Sequence, residues 1–285
     1  MAVITLLEVA VDGVARGLLF ALLGAGITLV FGLGNVLNLS LGVFSVIAVV
    51  AGIVVLPMVP HTALAAVVGV AAVAGLGLGV DRALLSSVYR SEGEDRILLG
   101  IFTTLGLAIF LDGLLYVYYP LGYSLPHGVP SQSVAGVSVR GSTLLVVAVA
   151  SVVLFALFVF LRKTYLGKAT RTVFQDETGA LLCGINPRRI RTLIFVLSVV
   201  LAGIAGLLWS LQSAVGPGDA FEFTIFGIIV SIVGGVRNIE GTVAAGLLLG
   251  LVITFGNYFI GAYVSMVILF AVAVGVLVLR PNEIA

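Results

Sequence analysis

Apolar stretches long enough to cross a bilayer follow one another along almost the whole chain, and this succession constrains the fold more than any other feature. They run over Ile4–Phe31, Leu41–Leu56, Thr62–Val80, Ile97–Tyr119, Thr143–Leu161, Leu193–Leu211, Phe223–Val236, Thr242–Ile260 and Ala262–Leu279. A helix needs roughly 20 mostly apolar residues to span a hydrocarbon core of ~30 Å. Backbone in lipid must satisfy its own hydrogen bonds, which helices do and open sheets do not. A transmembrane barrel would alternate polar and apolar residues along strands of ~10 residues, and Leu144–Phe160 shows no such alternation. Only 9% of the residues are charged, against about a quarter in a soluble protein. The expectation is an all-α polytopic membrane protein, a bundle of eight or nine transmembrane helices with broken or re-entrant segments, in which residues 1–285 form one transmembrane domain. Phe223–Val236 is short, and either crosses at a tilt, breaks or re-enters.

Charge distribution orients the bundle. Arg162–Arg191 holds Arg162, Lys163, Lys168, Arg171, Arg188, Arg189 and Arg191 against Asp176 and Glu177, so it carries +5 in a chain of net charge +1. Basic loops stay on the cytoplasmic side, which places residues 162–191 inside, and residues 81–96, two spans earlier, with them. Pro120–Ser142, with Arg140 alone, falls outside, and Arg280 returns to the inside. The N-terminus lies outside if Ile4–Phe31 is one crossing. Tyr116, Tyr118, Tyr119, Tyr123 and Trp209 then sit at the outer boundary, where amphipathic rings gather. The first ten residues lack a basic region and a clear cleavage site, and read as mature sequence. The single cysteine, Cys183, excludes an intramolecular disulfide.

Small residues four apart (Gly13/Gly17, Gly75/Gly79 and Gly246/Gly250) suit close helix packing. No Gly-Lys-Ser/Thr phosphate loop occurs, so the chain is not expected to hydrolyse ATP itself or to be an enzyme. His61 and His127 lie beside prolines without ligand-spaced partners, and no metal site is expected.

Two segments interrupt the apolar pattern in a related way: Gly32–Gly42, with Asn35, Asn38 and Ser40, and Gly234–Gly241, with Gly235 and Asn238. Gly lets a helix unwind and Asn can pair the freed backbone groups. Gly-interrupted segments in corresponding halves of a transporter point to its pathway; two tight turns at the membrane surface give the same pattern. Thr103, Thr104 and Gly106 form a small polar patch in a span, and Asp112 lies two turns on. A carboxylate in lipid costs ~2.5 kcal/mol or more, which makes Asp112 either a functional group or a structural one near the headgroups. The pathway candidates are therefore Asn35, Asn38, Ser40, Gly42, Thr103, Thr104, Gly106, Gly234, Gly235, Asn238 and Gly241.

The basic loop is too patterned for a connector. Thr170–Cys183 has no Pro, one Gly and an apolar stripe at Val173, Ala180 and Leu181. This predicts a short amphipathic helix, with Asp176 and Glu177 as a possible start, Gly184 as its end and Asn186-Pro187 as a stop. Such a helix either lies on the membrane or docks into a cytoplasmic partner.

Leu166-Gly167-Lys168-Ala169, Asp176, Ala180-Leu181-Leu182-Cys183-Gly184-Ile185-Asn186 and Arg189-Ile190 resemble the ATPase-contacting loop of the branched-chain amino acid ABC permeases, of the high-affinity leucine/isoleucine/valine type. Ala202-Gly203-Ile204-Ala205-Gly206, Val233-Gly234-Gly235-Val236, Gly241-Thr242-Val243-Ala244-Ala245-Gly246, Val36-Leu37-Asn38-Leu39-Ser40 and Thr104-Leu105-Gly106-Leu107 match in the same order, from about Gly24 to Leu279. Members usually carry His at Leu41, an acid at Val43 and small residues at Arg237 and Glu240, so the first broken segment is less polar here. The resemblance implies a permease subunit of an ATP-driven importer in the prokaryotic inner membrane. It would pair with a second, homologous permease, two cytoplasmic ATPases that bind the ATP, and an external solute-binding protein, with no cofactor of its own. Gly167, Asp176, Ala180, Gly184 and Ile185 match the family's coupling loop. The implied substrate is a branched-chain or other small aliphatic amino acid, with urea and short amides handled by similar permeases. An ion-gradient-driven secondary transporter is the alternative, and it would need buried carboxylate relays, for which Asp112 is the candidate.

Overall fold

The computed structural model describes residues 2–34, 36–89, 93–134 and 137–279; Asn35 and Arg280 lie outside them. Each apolar run becomes a helix. In chain order these are α1 (Ala2–Gly34), α2 (Leu41–Val55), α3 (Thr62–Val80), the short α4 (Ser86–Val88), α5 (Gly93–Tyr118), α6 (Gly141–Lys163), α7 (Tyr165–Gln175), α8 (Glu177–Leu182), α9 (Pro187–Trp209), α10 (Asp219–Gly234), α11 (Ile239–Phe259) and α12 (Ala262–Leu279). Seven helical stretches among the described residues are long and apolar enough to cross a membrane. α10, at 16 residues, and the apolar part of α12 are shorter. The chain is a multi-pass membrane protein.

α1 forms the centre. It is apolar nearly all round from Leu18 to Val30 and buried throughout that length, as a helix enclosed by others must be. α9, α10 and α11 pack around it. The glycine pairs explain how close α11 comes: a Cβ on Gly250 would overlap the backbone of Gly17, and one on Gly246 would lie 2.7 Å from the Ala21 nitrogen. Gly13 and Gly17 face Leu251 and Leu247, so α1 and α11 run antiparallel along a small-residue seam. Gly75 and Gly79 have nothing within 4 Å and take no part in any such seam within the chain. α9 carries a second layer: Gly206 packs against Ser45 of α2, and Gly77 of α3 against Val199.

The bundle has a basic end, with α7, α8 and the start of α9, and a far end marked by Trp209. There Trp209 packs on Phe223 with ring centroids 4.8 Å apart, and Phe20 on Phe226 at 4.7 Å. A β-hairpin, β1 (Gln132–Val134) and β2 (Val137–Val139), lies over the far end of α1. The Tyr123 and Val215 backbones pair by two hydrogen bonds of 2.8 Å.

Two sequence expectations shift. α9 starts at Pro187, before Leu193, because the Asn186 carboxamide oxygen accepts from the N–H groups of Arg188 and Arg189 and Pro187 occupies the first turn. Of the stretch 170–183, the short helix with its start at Asp176 and Glu177 is α8, and the residues before it belong to a separate helix, α7. Asp176 adopts an extended conformation (φ −154°, ψ 107°), ending α7 and opening α8.

Candidate functional site

The first broken segment is an interrupted crossing. α1 ends at Gly34; Val36–Asn38 then form no regular element and Leu39–Ser40 a turn, inside the bundle. α2 starts deep inside: Leu41 and the Ser198 carbonyl, halfway along α9, both lie against Gly26. Val36, Asn38 and Ser40 are fully buried, so their backbone groups need partners within the protein.

Two threonines from flanking helices supply them. The Thr104 hydroxyl of α5 accepts from the Leu39 N–H at 3.1 Å and faces the carbonyls of Gly100 (2.8 Å) and Leu37 (3.0 Å), to one of which it donates. The Thr224 hydroxyl of α10 accepts from the Gly42 N–H at 2.9 Å and faces the carbonyls of Ala220 (3.1 Å) and Leu39 (3.3 Å). Asn38 Oδ1 closes the turn, accepting from the Ser40 N–H at 3.1 Å and hydroxyl at 2.6 Å. A Cβ on Gly42 would collide with the Ala220 carbonyl, so only glycine lets α2 begin against α10.

Beside this junction lies a cavity of about 450 Å³. One wall is the α5 face of Leu105, Ala108, Ile109 and Asp112; the other is the α10 face of Phe221, Thr224, Ile225 and Ile228. Both follow the i, i+3, i+4, i+7 spacing of a single helix face. Leu39 and Val43 bring the broken crossing into the same lining.

Of the sequence candidates, the structure brings together Asn38, Ser40, Gly42 and Thr104. Thr103 is half-buried on another face of α5, and Gly106 is exposed with open space around it. Gly234–Gly241 is a turn at the basic end, with Arg237 and Asn238 exposed. Gly235 takes φ +90°, and the Asn238 side chain caps α11 by accepting from the Gly241 N–H at 3.0 Å. Gly32 of the first segment abuts the Val236 carbonyl of this turn. Thr224 escaped the sequence reading; its one signal is a hydroxyl within an apolar run. A buried hydroxyl cluster escaped too: Thr28 of α1 with Ser231 of α10 (2.7 Å) and Thr242 of α11 (2.9 Å). So did Glu8, Asp12 and Arg16, spaced four apart on α1. Glu8 accepts from the Ser138 N–H at 2.7 Å, Asp12 from the Thr143 hydroxyl at 2.8 Å, and Arg16 lies over the Trp209 ring at 5.7 Å.

At the basic end, Gly167 sits where α7 turns under α6. A Cβ there would strike the Phe160 and Leu161 carbonyls, and its N–H donates to the Thr164 hydroxyl at 3.1 Å. Ala180, read from the sequence as part of a contact face, is fully buried against the bundle. The Ile185 N–H donates to the Ala180 carbonyl and the Gly184 N–H to Leu181, both at 2.9 Å, with Gly184 at φ +77°, a glycine-terminated helix end. Asp176, Leu181, Leu182, Cys183 and Gly184 are exposed and Ile185 half-buried. Glu177 anchors α8: its carboxylate pairs with Arg191 of α9 at 2.5 Å and with Arg96 of α5 at 4.0 Å. Arg191 is buried, with its guanidinium 5.3 Å from the centre of the Tyr89 ring. Burial also pushes the Tyr89 phenol well above its ordinary pKa, so it stays neutral beside that charge. Asp81 accepts from the Thr192 hydroxyl at 2.6 Å, tying the end of α3 to the same helix.

An interrupted crossing braced by its neighbours, with an anchored helical loop at the basic end, is a permease-like arrangement, and comparison with known proteins decides the family. Residues 9–277 match the family described as the branched-chain amino acid transport system / permease component. The chain belongs to this family. Among permease relatives, the high-affinity branched-chain amino acid transport system permease protein BraD of Pseudomonas aeruginosa is 28% identical, over 98% of this chain and 95% of its own. LivH of Escherichia coli K12, described in the same words, is 25% identical over 96% and 93%. A probable LivH from the archaeon Methanocaldococcus jannaschii is 26% identical over 89% and 85%. Among solved structures, PsaBC from Streptococcus pneumoniae in complex with Fab shares the fold at 14% identity, with a TM-score of 0.50 over 94% of this chain and 88% of that one.

Proposed function

We propose that this chain is a transmembrane permease subunit of an ATP-driven importer for branched-chain or other small aliphatic amino acids. The observation that carries the proposal is the match to branched-chain permeases from end to end, 98% of this chain against 95% of BraD. The basic end is then cytoplasmic, as the Lys/Arg bias requires, and the far end with Trp209 and the hairpin is external. The protein sits in the prokaryotic inner membrane beside a second, homologous permease. Two cytoplasmic ATPases bind and hydrolyse ATP, so this chain has no cofactor and no catalytic residue of its own, and an external binding protein delivers the solute.

The exposed apolar tip of α8, Leu181 and Leu182, is the surface that fits a groove on an ATPase. Gly167, Ala180, Gly184 and Ile185 shape that tip from behind. Movement of the tip passes to the spans through Glu177, which holds both α9 and α5. The broken crossing and its two threonines line the solute path, with apolar walls that suit an aliphatic side chain. A secondary transporter is less well supported, because its candidate relay, Asp112, has no second charged group among the described residues of the cavity lining, and the relatives matched end to end are branched-chain amino acid permeases.

Purification of the tagged chain in mild detergent from its native host tests this reading. An ATPase and a second permease of similar hydropathy are expected to co-purify. A chain that comes alone and moves solute on an ion gradient without ATP contradicts it.

A further inference from the structure

Among the described residues, Asp112 is the one charged side chain in the lining of the 450 Å³ cavity between α5 and α10. Its Oδ1 is buried and has no hydrogen-bond partner. The rest of the lining is aliphatic or aromatic apart from Thr224, whose hydroxyl is committed to the Gly42 N–H and faces the Leu39 and Ala220 carbonyls. Small-molecule sites typically occupy about 300–1,000 Å³, with apolar walls and a few convergent polar groups, and this cavity has that character. An ionised carboxylate inside a membrane protein stays charged at low cost only when a cation faces it. Among the described residues no basic side chain lines this cavity, so a cation that holds the carboxylate ionised would have to come from outside the chain; without one the carboxyl is neutralised by a proton.

Asp112 also lies at a defined depth. It is eight residues beyond Thr104, about 12 Å toward the far end at 1.5 Å per residue. It therefore stands at the outer level of the cavity, and the broken crossing, held by Thr104 and Thr224, closes the deeper level. A solute arriving from outside meets the carboxylate first and the apolar walls next.

We infer that Asp112 is a binding residue for the α-ammonium group of the transported amino acid, with the aliphatic side chain lying between the α5 and α10 faces. The inference rests on the importer reading above and adds the residue that engages the backbone end of the substrate. It distinguishes a zwitterionic amino acid from a neutral amide or a carboxylic acid of the same shape.

The test uses the assembled transporter in proteoliposomes with radiolabelled leucine and its binding protein. Asp112→Asn is expected to assemble and to lower ATP-driven uptake at saturating leucine at least tenfold; Asp112→Glu is expected to keep at least a third of the rate. 3-Methylbutylamine, which retains the ammonium and the side chain, should inhibit the wild type and not Asp112→Asn, whereas 4-methylpentanoate should inhibit neither. Should Asp112→Asn fail to assemble, Ala108→Phe fills the same cavity and is expected to block uptake, and unchanged uptake by that variant overturns the site as a lipid-filled crevice. Wild-type uptake by Asp112→Asn, or inhibition by the acid but not the amine, overturns the inference alone. A wild-type assembly that moves no leucine overturns the importer reading and this site with it.

Discussion

Thr224 on α10 and Gly42 at the start of α2 are joined by a 2.9 Å hydrogen bond from the glycine N–H to the threonine hydroxyl, in the buried middle of the bundle. With Thr104 on α5, bound to Leu39 at 3.1 Å, it lets the chain unwind where neither water nor an intact helix can satisfy the backbone. Leaving a buried donor unpaired costs about 1–3 kcal/mol. Thr224→Val and Thr104→Val should each destabilise the purified protein by that order, read as a lowered unfolding midpoint in detergent. Both hydroxyls brace one six-residue stretch, Leu37–Gly42, so the double variant should lose less than the sum.

The α1–α11 seam sets a second expectation. Gly250 faces the Gly17 backbone with no room for a Cβ. Gly250→Val should push the two central helices apart and remove the monodisperse peak on gel filtration. Gly79→Val, at a glycine with nothing within 4 Å, should leave that peak in place.

Ala180 and Leu182, two residues apart on α8, should separate folding from coupling. Ala180 is buried, whereas Leu182 is 85% exposed. Ala180→Glu places a charge against the bundle and should reduce the yield of folded protein. Leu182→Glu should fold normally and lose co-purifying ATPase and ATP-driven uptake. Folded yield, ATPase recovery and uptake on the same two variants check both statements.

Glu177→Gln should weaken the anchor of α8. Removing one partner of a fully buried ion pair costs about 3–5 kcal/mol and an exposed pair is worth well under that; with Arg191 8% and Glu177 40% exposed, about 1–2 kcal/mol is expected. The variant should hydrolyse ATP and transport poorly, which the ratio of leucine moved to ATP hydrolysed measures.

Much of this was legible in the residues. Long apolar runs permit little besides helices in lipid, so each run became a helix, seven of them long enough to span, and Asn38, Ser40, Gly42 and Thr104 stood out as polar or flexible residues where lipid tolerates few. The depth at which α2 begins was not legible, because Leu41 is as apolar as its neighbours and only packing against Gly26 places it mid-bundle. Ala180 misled because a small side chain suits a buried position and a contact surface equally. Asp176 and Glu177 were legible as a helix start, and α8 does begin there; the separate helix α7 before it was not. Glu8, Asp12 and Arg16 were absorbed into the first apolar run, although their four-residue spacing places all three on one side of α1.

The most direct test of the central claim is leucine uptake into proteoliposomes that contain this permease with its co-purifying partners and the leucine-loaded binding protein. The account predicts accumulation that requires ATP on the side of the Arg162–Arg191 loop and persists when proton and sodium gradients are collapsed. Uptake that continues without ATP and stops when those gradients collapse would contradict it.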